Sequence, residues 1–182
     1  MVAEANAQDD FSIQWHGPSG VHKDTALCDL LMNVFGGRSG RLYRPLVEEK
    51  KLALEVQAGY ESRRYGGSIM IDATPREGAD VAELEKAIGA IVEDVQKNGV
   101  TERELEKARN QQLADLVRTL KTNSGVAQRL GYFETIGTHE DFSAYIKVVE
   151  GATAADLKRV AVQYLKPSGR NILLIKRKAK KE

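Results

Sequence analysis

The sequence predicts an α+β fold, with helices layered on one face of a largely antiparallel mixed sheet. Three observations carry that expectation. Two stretches with period-two apolar patterning, Leu52–Tyr60 and Ile69–Ala73, lie close together in the chain. Helical stripes of apolar residues then follow as a block from Val81 to Leu165. Strands and helices are thus segregated rather than alternating, which disfavours a doubly wound sheet. At 182 residues the chain suits one domain. Residues 1–10 are expected to form a flexible N-terminal segment, 11–176 the single domain and 177–182 a basic tail.

In chain order, Phe11-Ser12-Ile13-Gln14-Trp15 alternates apolar and polar side chains as a half-buried strand does, and Gly17-Pro18-Ser19-Gly20 ends it. From Asp24 the pattern becomes helical, with Leu27, Leu30, Leu31, Val34 and Phe35 on one stripe closed by Gly36-Gly37. Ser39 is placed to cap a short helix carrying Leu42, Tyr43 and Leu46. Pro45 deletes a backbone donor there, so this helix starts late, near Arg44, or is irregular. Next, Leu52, Leu54, Val56, Ala58 and Tyr60 occupy every second position and are expected on one face. Glu61 to Gly67 turns the chain, and Ile69, Ile71 and Ala73 return it as an antiparallel hairpin.

The helix from about Asp80 to Asn98 steps by three and four through Val81, Leu84, Ile88, Ile91 and Val95. Asp80 and Glu83 pair at its start and Gly99 follows its end. Thr101 and Glu104 form a capping box for the next helix, with Val100 and Leu105 as its hydrophobic staple. That helix runs to about Lys121, breaks near Asn123-Ser124-Gly125 and continues to Gly137. Thr138 with Asp141, and Thr153 with Asp156, cap two more. Lys166-Pro167-Ser168-Gly169 stops the last helix, and Asn171–Ile175 is a final apolar strand.

Composition removes several classes of function. Lys+Arg 27 against Asp+Glu 26 leaves a net charge of +1, so the basic excess of a nucleic-acid binder is absent. No apolar run reaches the length of a membrane span. Met1 to Asp10 is polar and contains no export-signal core; a soluble chain is expected, periplasmic or exported if a longer parent carries a signal. The lone Cys28 lies among Leu27, Leu30 and Leu31 and reads as a buried, inert thiol.

The histidines are His16, His22 and His139, and four residues after them stand Gly20, Ala26 and Ser143. A zincin needs two histidines at i and i+4 on one helix face, with a glutamate to activate the bound water. His139-Glu140 begins neither H-E-x-x-H nor H-x-x-E-H. No nucleophile elbow occurs, and Gly36-Gly37-Arg38-Ser39-Gly40 fits no phosphate-binding loop; those glycines let two helices meet sharply. Glu48-Glu49 and Glu102/Glu106 read as solvated helix faces, Arg63-Arg64 as an exposed hairpin loop, and Lys176–Lys181 as a frayed, solubilising end. No catalytic residue and no metal ligand is assigned, and the substrate-binding residues stay unassigned.

Four segments resemble one known family in the right order. The helix Asp24–Phe35 with Gly36-Gly37-Arg38-Ser39-Gly40-Arg41-Leu42-Tyr43 is similar to a helix, glycine turn and S-x-R-L-Y. Leu46–Ala53 resembles L-x-x-E-K-x-L-A, and Gly99–Asn110 resembles G-V-T-x-x-E-L-x-x-A-K-N. Ala152–Pro167 resembles V-T-x-x-D-v-x-x-v-A-x-x-Y-L. Together, over about Phe11 to Ile175, they resemble the pitrilysin-type zinc metallopeptidases, which include insulin-degrading enzyme and mitochondrial processing peptidase.

The resemblance implies the companion domain that lacks the zinc motif H-x-x-E-H: a non-catalytic chamber wall, inactive alone, that encloses an extended peptide and supports a catalytic domain or subunit. Zinc then belongs to the parent protein and no cofactor to this chain. Some members' later domains carry an arginine and a tyrosine near the strand start; the matching positions here are Val47 and Leu54, which cannot donate hydrogen bonds. The alternative is a catalytically silent subunit acting as an interaction protein, and a third reading, an unrelated enzyme, has no motif behind it. The sheet face opposite the helices is expected to be apolar and to line the peptide cavity, with a strand edge free to pair with the peptide.

Overall fold

In the computed structural model, which describes residues 2–5 and 9–177, five strands form one sheet in the order β1-β5-β2-β4-β3. They are β1 (Val2–Ala5), β2 (Asp10–Gly17), β3 (Ala53–Ser62), β4 (Gly67–Pro75) and β5 (Arg170–Arg177). The pairs β5–β2, β2–β4 and β4–β3 are antiparallel, and β1 adds to β5 in parallel. The α+β class and the antiparallel hairpin are therefore as expected. The first ten residues differ from a wholly flexible segment, because Val2–Ala5 pairs with Leu174–Arg177. β5 would otherwise end the sheet with a row of unpaired backbone groups. Lys176 and Arg177 complete β5 instead of fraying, and the rest of the basic tail, 178–182, lies outside the described residues.

Phe11, Ile13 and Trp15 of β2 share a face with Ile69, Ile71 and Ala73 of β4, and all six are buried. The helices cover that face: α1 (Thr25–Phe35), α2 (Val81–Asn98), α3 (Glu102–Leu120), α4 (Asn123–Ile136), α5 (Glu140–Gly151) and α6 (Ala154–Tyr164). α1 is the central one, with Cys28, Leu30, Leu31 and Phe35 fully enclosed. Both capping boxes form, at Thr101/Glu104 and Thr153/Asp156, and the Val100–Leu105 staple is buried. The Asp80 pair forms by half: Asp80 accepts from the Ala82 N–H at 2.9 Å, whereas Glu83 faces Lys50.

One local expectation is met in both its forms and two are corrected. The helix around Pro45 is both late and irregular, a π-helical turn over Arg44–Glu49 in which the Lys50 N–H reaches the Pro45 carbonyl at 3.0 Å. The wider turn follows from the donor that Pro45 lacks. The break between α3 and α4 lies at Lys121–Thr122, and Gly125 sits inside α4, where any side chain would collide with the Thr119 carbonyl. Leu54 does not join the buried face. A β-bulge shifts the register between Ala53 and Glu55, so Leu54 is 47% exposed while Val56 is buried.

The open face is not the apolar surface expected. By register it carries Gln14 and His16 of β2, Ser68, Met70 and Asp72 of β4, and Gln57 and Glu61 of β3. Among the residues of β2 to β5, apolar character there lies at Met70 and at Leu173 and Ile175 of β5, all half-buried. A polar solvated face is the ordinary state of an antiparallel sheet with helices on one side.

Candidate functional site

β3 is an edge strand, and a cleft runs along its free side. The wider part, about 630 Å³, is lined by Leu54, Glu55, Val56 and Ala58 on the strand side, and by Asn33, Gly36 and Gln111 on the helix side. A second hollow of about 320 Å³ continues past Tyr60, Ser62 and Arg63 to Asp29, Arg129 and Tyr132. Gly36 packs beside Ala58 at the end of α1, where a Cβ would crowd the Met32 carbonyl at 3.1 Å and touch the Ala58 carbonyl oxygen at 3.4 Å. At the hairpin end the Arg63 N–H reaches the Gly66 carbonyl at 2.8 Å, so by register Glu61, Gly59 and Gln57 turn toward β4 and the backbone groups of Ala58 point away from it. With the alternation of a strand, those of Val56 and Tyr60 point the same way.

A chain of oriented hydrogen bonds floors this cleft. The Asn33 amide donates to Gln112 Oε1 at 2.8 Å, the Gln112 amide to the Tyr145 oxygen at 2.7 Å, and the Tyr145 hydroxyl to Asp29 Oδ2 at 2.7 Å. Because Gln112 fills the acceptor side of Tyr145, the hydroxyl proton is directed to the carboxylate. Burial pushes the Tyr145 phenol up, so it stays a donor. Burial also pushes Asp29 up to about 6, against the Tyr145 hydrogen bond and the attraction of Arg129.

Asp29 and Asn33 stand at i and i+4 on α1, the spacing a helix uses to point two ligands at one metal. Here their partners are an amide and a phenol. Among the described residues no group of three or more His, Cys, Asp or Glu is placed to hold a metal ion.

α1 begins with a contrasting carboxylate. Asp24 is fully buried and receives both Arg159 guanidinium nitrogens, at 2.6 and 3.1 Å, plus the Tyr164 hydroxyl at 2.9 Å. The Arg159 hydrogen bonds hold its carboxyl below the usual range, against burial. This clamp ties the start of α1 to α6.

The residues weighed in the sequence fall apart in space. His16 is exposed at the end of β2; His22 Nδ1 accepts the Asp24 N–H at 3.1 Å; His139 Nδ1 meets the exposed Glu134 at 2.6 Å. Burial pushes the Cys28 thiol up, away from thiolate chemistry. Gly36 and Gly37 border the cleft, and Gly37 takes a left-handed φ of +71° that frees the turn after α1. Glu48, Glu49, Glu102 and Glu106 are exposed, as are Arg63 and Arg64. Val47 is buried beneath the π-helical turn, and Leu54 lines the cleft. The residues of interest that sequence reasoning passed over are Asp29, Asn33, Gln112 and Tyr145. Their one signal is the polar pair at i and i+4 within an otherwise apolar α1.

Residues 2–112 match the peptidase M16 inactive domain. The chain belongs to that family. Zinc protease PqqE of Helicobacter pylori is 26% identical over 160 residues, covering 87% of this chain and 36% of that protein. Zinc protease YmxG of Bacillus subtilis is 28% identical over 134 residues, or 72% of this chain and 32% of its own length. This M16 domain thus spans about a third of the curated relatives it matches. A solved inactive peptidase domain from Bordetella parapertussis superposes with a TM-score of 0.89 at 25% identity, covering 99% of this chain and 96% of the other. A protease structure from Helicobacter pylori gives 0.90 at 24% identity over 97% of this chain and 43% of its own, which speaks for the fold alone. No helix among the described residues is long and apolar enough to cross a membrane.

Proposed function

We propose that this M16 inactive domain is a wall of a zinc peptidase's peptide chamber, holding an extended peptide against the β3 edge and supporting the catalytic domain. The observation that carries the reading is the free edge itself. Val56, Ala58 and Tyr60 turn backbone groups that β4 does not pair into the cleft along β3. A peptide laid there as a further strand gains backbone hydrogen bonds worth about 1 kcal/mol each, with little dependence on its sequence. In this reading zinc and the catalytic water belong to the parent's catalytic domain, and the helix facing the cleft carries Asp29 and Asn33, bonded to Tyr145 and Gln112.

The test adds this chain to the separately expressed catalytic domain of the same parent and follows hydrolysis of an extended peptide. The rate is expected to rise severalfold. The gain is expected to vanish for a peptide whose alternate backbone nitrogens are methylated, because these cannot join the ladder. Equal rates with and without the chain, at saturating concentration, would overturn the reading.

A further inference from the structure

The hollow at the Tyr60–Arg63 end of the cleft has a composition that a simple backbone ladder does not need. Asp29 sits half-buried at its base, and Tyr60, Tyr132, Phe133 and Tyr145 surround it. The carboxylate has one donor, the Tyr145 hydroxyl on Oδ2, and among the described residues no Lys or Arg nitrogen lies within 4 Å of it. Each rim arginine has another close partner, and Arg129 acts on Asp29 only from beyond ion-pair distance. Arg129 lies over the Phe142 ring at 6.0 Å, and the exposed Arg63 faces Glu61 at 3.5 Å. A half-buried carboxylate with an open acceptor and aromatic walls is built to receive a cation on an apolar stem.

We propose that this hollow binds a lysine or arginine side chain of the extended peptide, with Asp29 as its counter-ion and the aromatic rings packed around its alkyl stem. The proposal rests on the β3 edge carrying the peptide, and it names a preference within that reading. The hollow adjoins the edge: Tyr60, whose backbone faces the peptide, also lines the hollow. The raised Asp29 carboxyl fits an acid waiting for its partner, because an incoming cation favours the ionised form. The titratable and charged groups that line the hollow with Asp29 are Arg129 from α4, Tyr145 from α5, and Tyr60, Glu61 and Arg63 from β3 and its turn.

The experiment titrates this chain with two acetylated, amidated hexapeptides of alternating valine and threonine, one with a central arginine and one with glutamine in its place. At pH 7.5 the arginine peptide is expected to bind at least about tenfold more tightly. That preference should shrink at pH 5, where Asp29 is protonated, and disappear in Asp29→Asn. Arg129→Gln removes a competing cation, so it is expected to tighten the arginine peptide about twofold or more while leaving the glutamine peptide unchanged. This arm reads the proposal even if Asp29→Asn fails to fold. Equal binding of both peptides at pH 7.5 overturns the cation site and leaves the edge reading standing. Binding of neither overturns both.

Discussion

Helix α1 carries two carboxylates five residues apart, and the regions around them are built to opposite ends. At the α1–α6 seam, Asp24 is enclosed and saturated by Arg159 and Tyr164, and its carboxyl is held low. In the β3 cleft, Asp29 has one donor, an open oxygen and a carboxyl raised to about 6. The first region consumes its charge in holding two helices together. The second leaves a charge uncompensated beside an unpaired strand. That contrast separates structural polarity from polarity held in reserve for a ligand.

The contrast breaks most visibly at Asp24. Asp24→Ala strips Arg159 and Tyr164 of their common partner and is expected to lower stability by about 2–4 kcal/mol at pH 7, read by thermal or urea unfolding. The pH dependence follows in sign. A carboxyl held below its unfolded value of about 3.9 stabilises the fold above that value, and the contribution is lost as pH falls through its lower folded value. The wild-type chain should therefore weaken below about pH 4 more steeply than the variant.

Asp29 should behave in the reverse sense. Its folded value of about 6 lies above the unfolded one, so ionisation costs stability as pH rises from about 4 through 6, and nothing below. Asp29→Asn is expected to raise stability at pH 7, by up to about 3 kcal/mol, and to change little at pH 4. A loss of stability at pH 7 would place Asp29 with Asp24 as a structural clamp.

The smallest expected effect sharpens the same point. Tyr145→Phe removes the donor to Asp29 and should lower stability by about 1 kcal/mol at pH 7. In the Asp29→Asn background that loss should shrink, and a double-mutant cycle measures the coupling.

Much of the fold was legible because its signals are local. Thr101 with Glu104 and Thr153 with Asp156 announce their helices within four residues, and the alternation of Phe11 to Trp15 and of Ile69 to Ala73 maps directly onto one sheet face. Leu54 was misread because a bulge changes the count of residues without changing their pattern; the period-two run continues in the sequence while the register slips in space. The cleft was harder still. Tyr145 belongs to the apolar stripe of α5 by periodicity, and only packing brings its hydroxyl to Asp29, 116 positions away. The open sheet face was expected to be apolar, yet its polar residues are the alternate positions of the same strands that predicted the core.

The account stands or falls on the β3 edge. Its most direct measurement is amide hydrogen exchange of this chain with and without a saturating extended peptide, read residue by residue. Exchange at Val56, Ala58 and Tyr60 should slow on binding, while Gln57 and Gly59, already turned toward β4, should change little. A peptide that binds yet leaves those three amides exchanging as before would contradict the account.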